Sequence, residues 1–347
     1  MPISNITDLM FSRVALTEVV RQLYKPNTFL RNFFFKKEKM FSTNDIMWDI
    51  YKGSRNRASL TEINAESKVL KRKGYKTKKT SIPHTKEKIL MTVGELLNRA
   101  LGGDIIVMPG DVLYRRFGTE TRDCIETLID RIVRLQEYLC SLAFTEGKID
   151  IDNENITFKI DYEIPEENVL EADVEWQSNT ADVIGDVQKL VRRVREISGV
   201  VPESLIVGHT AFSYMIKNKD FKETLDNLRI EMGGIKPEQL SEGASYCGRF
   251  PFPDAAIDIY QYTEVTIDDD GNNKYLIDPK KIFVGSKNAQ NSYVWGRVSE
   301  IDSEADTKIS VNSWRDFDPS GLWIKAESCS MPLLSQPDAF GRMTVVA

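Results

Sequence analysis

The spacing of apolar and polar positions divides the chain into segments of different period. Residues 6–24 carry Ile6, Leu9, Met10, Val14, Leu16, Val19, Val20 and Leu23 at helical spacing, and Pro26 stops them because proline cannot continue a helix. "FLRNFFF", residues 29–35, follows. Phe29, Leu30, Phe33, Phe34 and Phe35 lie so near a terminus that they need a cover, either the chain's own core or another molecule. From Met47 to Met91 helical periodicity is lost. "MWDIYKG" and "KILMTVG" predict two strands of a long hairpin, whose interior holds too few large apolar residues to fold alone. Such an arm must lean on something.

Residues 111–146 predict the longest helix. Ile125, Leu128, Ile132, Leu135, Leu139 and Leu142 form one stripe, and Gly147 is a good stop. The spacing also suits a heptad seam, but Ile129 and Val133 widen the stripe and favour a helix laid on a sheet. Residues 148–175 then alternate as strands. From Ser178 the pattern is α/β: a helix capped by Asn179 or Thr180 and ended by Gly199, a strand "SLIVG", and a helix from Ala211 to about Ile230. "AAIDIYQYTEVTID" and "KYLIDPKKIFVG" read as a hairpin around a Gly-containing turn, and Ser310–Ala347 returns to strands. The class expected is α+β with interleaved lobes.

Composition narrows the function. At 347 residues, 41% hydrophobic and 28% charged, the chain is in the globular range and long enough for two lobes. No run approaches the ~20 apolar residues of a membrane span, so a soluble, non-exported protein is expected, without a membrane partner. Cys124, Cys140, Cys247 and Cys329 lack metal-site spacing, and neither a disulfide framework nor a zinc site is expected. His209 follows a strand, where active-site residues gather, yet no nucleophile motif accompanies it and Thr210 reads as a helix cap. No partner can be named for His84. "DIDNEN" and "DDDGNN" lack full calcium-loop order and read as turns. No phosphate-binding or dinucleotide motif appears, so no catalytic residue, cofactor or metal is expected.

Charge supplies the strongest signal. "KVLKRKGYKTKKT", residues 68–80, holds seven cations and no acid in a chain of net charge −6. Between Asp150 and Glu175 stand ten acidic residues and only Lys159. The ribbon could neutralise phosphates, but Tyr75 alone is no stacking platform. The reading preferred is a self-contact: Lys71, Arg72, Lys73, Lys76, Lys78 and Lys79 of one copy pair with acids of region 120–175 in the next, such as Asp123, Glu126, Asp161 and Glu163, and the Phe29–Phe35 cluster is covered by a neighbour.

The order of parts resembles the tailed-phage major capsid proteins with the Hong Kong 97 phage-type fold, most nearly the lambda-like major capsid protein E group. The stretches that carry the likeness are "KPNTFLRNFFF", "VEWQSNTADVIGDVQ", "AFSYMIKNKDFKETLD", "DPKKIFVGSKNAQNSYVWG" and "NSWRDFDPSGLWIKAESCSMPLLSQPDAF". The resemblance implies an N-arm over 1–40 and an extended E-loop over 41–92. It implies a peripheral domain over 93–175 and 311–347 with a spine helix, and an axial domain over 176–310. It also implies a non-enzymatic shell protein of the virion, assembled in the host cytoplasm as pentamers and hexamers around double-stranded DNA. Scaffolding and portal proteins and, as is common in the lambda-like group, a decoration protein are the further partners it implies. The first arm is too short for a built-in scaffolding domain, and no lysine matches the position of the Lys–Asn cross-link that some relatives form.

Overall fold

Apolar stripes become helices here where a sheet is available to receive them. The computed structural model describes residue 16 and residues 28–51, 75–92, 110–153, 156–223, 238–239, 243–252, 255–267, 271–299, 307–318 and 320–346. Helix α1 (Phe29–Phe34) leads through β1 (Lys37–Met40) to β2 (Asp45–Tyr51), β3 (Tyr75–Ser81) and β4 (His84–Thr92). Helix α2 (Gly110–Thr145) has 36 residues and spans about 54 Å. Gly147 ends it at φ 70°, a left-handed backbone that favours glycine. The expected helix over 6–24 lies outside the described residues except Leu16, which is helical and buried against α2.

Strands β5 (Lys148–Asn153) and β6 (Ile156–Asp161) form a hairpin, followed by β7 (Val169–Glu171) and helix α3 (Val183–Ser198). The cap of α3 is Asp182, whose carboxylate accepts the Gly185 N–H at 2.8 Å, and not Asn179 or Thr180. Gly199 ends α3 at φ 78°, where the sequence placed the stop. After β8 (Ser204–Val207), helix α4 (His209–Lys217) is shorter than expected. Asn218 leaves helical backbone, and its side chain accepts the Phe221 N–H at 3.1 Å to open a new helical stretch. Helix α4 begins on Gly208, so Thr210 is not its cap.

The remaining strands are β9 (Glu238–Gln239), β10 (Ala244–Phe252), β11 (Ala255–Tyr262), β12 (Val265–Ile267), β13 (Asn273–Tyr275), β14 (Lys281–Gly285), β15 (Ser292–Trp295), β16 (Ile309–Phe317), β17 (Ser320–Leu333) and β18 (Gly341–Thr344). One sheet has seven strands in the order β7-β18-β14-β8-β11-β10-β9. The other has five, β1-β15-β17-β16 with β4 also along β17.

Three pairings differ from the sequence reading. The partner of β2 is β3, the second half of the basic ribbon, whereas "KILMT" belongs to β4 and pairs with β17. The reason is burial: Ile89 and Met91 of β4 have an apolar helix to cover, and a free ribbon offers none. Only β12 and β13 pair around Gly271, while β11 and β14 flank β8 on either side. Strand β18 joins the seven-stranded sheet and β15 the five-stranded one, so sheet membership crosses the expected boundary at 310 in both directions.

The core is in three parts. Ile125, Leu128, Ile129 and Ile132 of α2 pack on Ile309, Val311, Leu322, Ile324 and Ala326, a helix on a sheet and not a coiled-coil seam. Val187, Leu190, Val191 and Val194 of α3 pack on Leu205, Val207, Ile282 and Val284. The third part sits between the two sheets and contains Phe29, Leu30, Phe34 and Phe35, each at most 7% exposed. These side chains are covered by their own chain, which corrects the expectation of a neighbour. Phe34 stacks on Phe144 at 4.5 Å and meets Phe340 edge-on at 5.5 Å. A Cβ on Gly285 would come within 2.9 Å of both Phe34 and Phe340, so a glycine floor lets the rings in.

Replacing Phe34 by Ala should cost the isolated chain about 3–5 kcal/mol of unfolding free energy, read from a denaturant titration. An interface residue would instead leave that titration unmoved and weaken only association.

Candidate assembly surfaces

Helix α1 is fastened by a carboxyl group. Glu137 of α2, fully buried, accepts the Leu30 N–H at 2.7 Å, the Arg31 N–H at 3.1 Å and the Tyr262 hydroxyl at 2.9 Å. Its oxygens satisfy N–H groups that a helix start leaves without partners. Burial pushes its pKa up, and the donated hydrogen bonds oppose that shift. Arg31 extends the other way, to Gln136 at 3.0 Å and Glu38 at 2.7 Å, with its guanidinium 4.5 Å from the Tyr293 ring. Of the five apolar residues first assigned to an interface, only Phe33 is partly open. It is half-buried and packs against Tyr260 at 4.9 Å.

The β2–β3 hairpin shows the period-2 division of a ribbon with one covered face. Ile46, Trp48 and Ile50 are buried, and register places Thr80, Lys78 and Lys76 opposite them. Trp48 rests on Tyr162 at 5.6 Å. The inner lysines then meet the acidic region of the same chain. Lys76 and Lys78 both pair with Glu163, Lys78 at 2.8 Å, and Lys78 also donates to the Asp161 carbonyl at 2.5 Å. Hydrogen bonds from Lys76 and then Lys78 hold the Glu163 carboxyl at about 2. Glu163 has φ 60°, the one positive value outside glycine among the described residues, and its N–H is held by the Asp161 carboxylate at 2.8 Å.

Lys76 and Lys78 thus pair with Glu163 inside one copy, whereas the pairing expected was between copies. Lys79 on the outer face pairs with Asp45 at 3.1 Å. Glu126 pairs with Arg122 of its own helix, and Asp123 is exposed and forms no ion pair among the described residues. Lys71, Arg72 and Lys73 lie outside the described residues. What the sequence reading missed is the outer face of the hairpin, where Met47 is 71% exposed, Tyr75 64% and Tyr51 45%. The signal was available, since Met47 and Tyr51 alternate with the buried apolar positions Ile46, Trp48 and Ile50 and so share the face of Asp45 and Asp49.

The remaining chemistry is structural. His84 ties the feet of the hairpin together, with Nε2 2.8 Å from Asn44 Nδ2. Burial lowers its pKa, assisted by Lys86. His209 lies against the Tyr275 ring at 5.0 Å. Cys329 is buried and its thiol is pushed up to about 12, which keeps it protonated. No cluster of three metal-ligating side chains occurs among the described residues.

The sequence matches the family described as phage major capsid protein E over residues 12–345. The P21 prophage-derived major head protein of Escherichia coli O6:H1 (strain CFT073) and the major capsid protein of Enterobacteria phage P21 are each 20% identical over 339 residues, covering 95% of this chain and 98% of theirs. A crystal structure attributed to the capsid protein of an Escherichia coli CFT073 prophage is similar at TM-score 0.70 and 18% identity, over 98% of this chain and 99% of that one. A phage-related protein from Bordetella bronchiseptica RB50 is similar at TM-score 0.54 and 13% identity, over 95% of each chain. The α+β arrangement is the Hong Kong 97 phage-type capsid fold. With a match that runs from residue 12 to residue 345, the chain belongs to the phage major capsid protein E family, structural proteins of the head and not enzymes.

Proposed function

We propose that copies of this chain assemble as pentamers and hexamers into the icosahedral head that encloses phage double-stranded DNA. The observation that carries this reading is the hairpin. Its inner face is held by its own chain, while Met47, Tyr51 and Tyr75 leave an apolar outer face open. In this reading residues 1–40 are the N-arm, and of the 41–92 segment expected as the E-loop the β2–β3 hairpin is the part that reaches over the adjacent subunit, because β4 is held along β17 in the five-stranded sheet. The α2 sheet is the peripheral domain and the seven-stranded sheet the axial domain. The basic 68–80 segment meets acids of a neighbour as well as Glu163 of its own copy. Assembly takes place in the host cytoplasm with scaffolding and portal proteins and, in some heads, a decoration protein. The net charge of −6 keeps contact with packaged DNA weak.

Contacts that serve two ring sizes should be numerous and individually modest. The clasp on Glu163 fits that requirement, because exposed ion pairs contribute about 1 kcal/mol or less.

Negative-stain microscopy of the purified chain, alone and co-expressed with its scaffolding protein, should show shells, tubes or capsomers. A monomer that instead retains DNA in a salt-dependent way would replace this reading with nucleic-acid binding. Reversing Lys71, Arg72 and Lys73 to Glu should block assembly while the circular dichroism of the subunit stays unchanged. For the clasp, the folded pKa of Glu163 is depressed from 4.5 to about 2, so its contribution is present above pH 4.5 and lost as pH falls toward 2. Wild type should therefore melt above Glu163→Gln at pH 6, and the difference should vanish by about pH 2, as read by thermal unfolding.

A further inference from the structure

The five-stranded sheet presents a second open face. Residues of β4, β17 and β16 that alternate toward α2, such as Met91, Leu322 and Ile324, are buried. On the opposite face, register lines up Leu90, Trp323 and Trp314 across the three strands. The two indoles stack at 6.1 Å, and the Lys88 ammonium lies 4.3 Å from the Trp323 ring. Trp314 is 42% exposed. The Trp323 indole N–H donates to the Asp316 carboxylate at 3.1 Å, so the cations on this face, Lys86, Lys88 and Lys325, stand against two acids, Asp316 and Glu327, and leave a net positive charge. Buried Glu327 is taken by Lys86 at 3.2 Å and Lys325 at 3.0 Å, and Lys88 has no ion pair among the described residues.

A complementary strip lies at the edge of the other sheet. Strand β7 is the outermost of seven, and around it Glu166, Glu171 and Glu175 form no ion pair among the described residues. Between these acids Val169 and Val174 are 41% and 42% exposed. In the strip Glu167 and Asp173 already pair with Arg193 and Lys189, which leaves Glu166, Glu171 and Glu175 beside aliphatic side chains, and the platform sets the cation Lys88 beside aromatic ones. Both are open in the single chain, so a second copy is what can bring them together.

We propose that the Trp314–Trp323–Lys88 platform of one copy receives the acidic strip around Val169 and Val174 of the next. Aromatic side chains with an adjacent cation are the composition of an interface centre, and opposite charge sets which way the partner lies. Because the two patches differ, the contact is head-to-tail, the kind that closes into rings when the rotation permits. The inference rests on the self-assembly reading and adds which surfaces meet.

The test uses the full-length chain and sedimentation velocity across a concentration series, with circular dichroism and thermal midpoint as folding controls. Lys88→Glu alone and Glu171→Lys alone should each weaken association about tenfold, and the two combined in one chain should recover most of the loss. Trp314→Ala should weaken it about thirtyfold, as expected of a buried aromatic anchor. A combined variant no better than either single variant overturns the proposal. So does quenching of wild-type tryptophan emission by oligothymidine with association untouched by Lys88→Glu, which would assign the platform to nucleic acid. A wild-type chain that stays monomeric throughout sinks the shell reading itself. A wild type that associates while Lys88→Glu is indifferent sinks only this contact.

Discussion

The carboxyl of Glu137, sealed among Leu30, Arg31 and Tyr262, is the constraint from which the rest of the molecule follows. It joins three parts distant in sequence: the start of α1, the last third of α2 and strand β11 of the seven-stranded sheet. A buried carboxyl without donors is costly, and breaking such a group's partners typically costs about 3–5 kcal/mol. Here three donors oppose that cost, so the position of α1 is specified to within a hydrogen bond. Once α1 is set, Phe29 and Phe34 have only one place to go, and the junction between the sheets closes around them.

That junction makes the molecule one body. Strand β17 runs through the five-stranded sheet for 14 residues, after which the chain turns and enters the seven-stranded sheet as β18. Going the other way, the chain leaves β14 in the seven-stranded sheet and reaches β15 in the five-stranded one. Phe283, Tyr293 and Phe340, which belong to these crossings, share one core with α1. A shell subunit built this way can keep a constant interior while its hairpins and exposed faces adjust to different neighbours. The two-stranded sheets β2–β3 and β5–β6 each bury one face in that core and leave the other open.

The hairpin illustrates how a correct signal led to a partly different partner. The opposition of a basic ribbon and an acidic strand region was legible, and Lys76 and Lys78 do meet Glu163. What composition could not supply was the register. Pairing of β2 with β3 puts Lys76 and Lys78 on the ribbon face that carries Trp48 and Ile50, where their own chain's Glu163 lies within reach. The aromatic cluster at 29–35 followed the same logic. Its need for cover was evident, but a local reading had no means of seeing that α2, β11 and the turn before β18 converge there.

By itself the sequence determined the periodic elements and their punctuation: the stripe from Ile125 to Leu142, the stops at Gly147 and Gly199, and the opposed charges of 68–80 and 150–175. These are local properties, set by side-chain spacing, backbone freedom and charge along a few turns of chain. Only the tertiary structure decided that β4 pairs with β17, that β18 and β15 exchange sheets, that Phe34 is interior, and that Trp314 and Trp323 stand side by side on an open face. Those outcomes depend on which apolar surfaces find each other across hundreds of residues. The free energy of that choice comes from the total area removed from water, which no single segment contains.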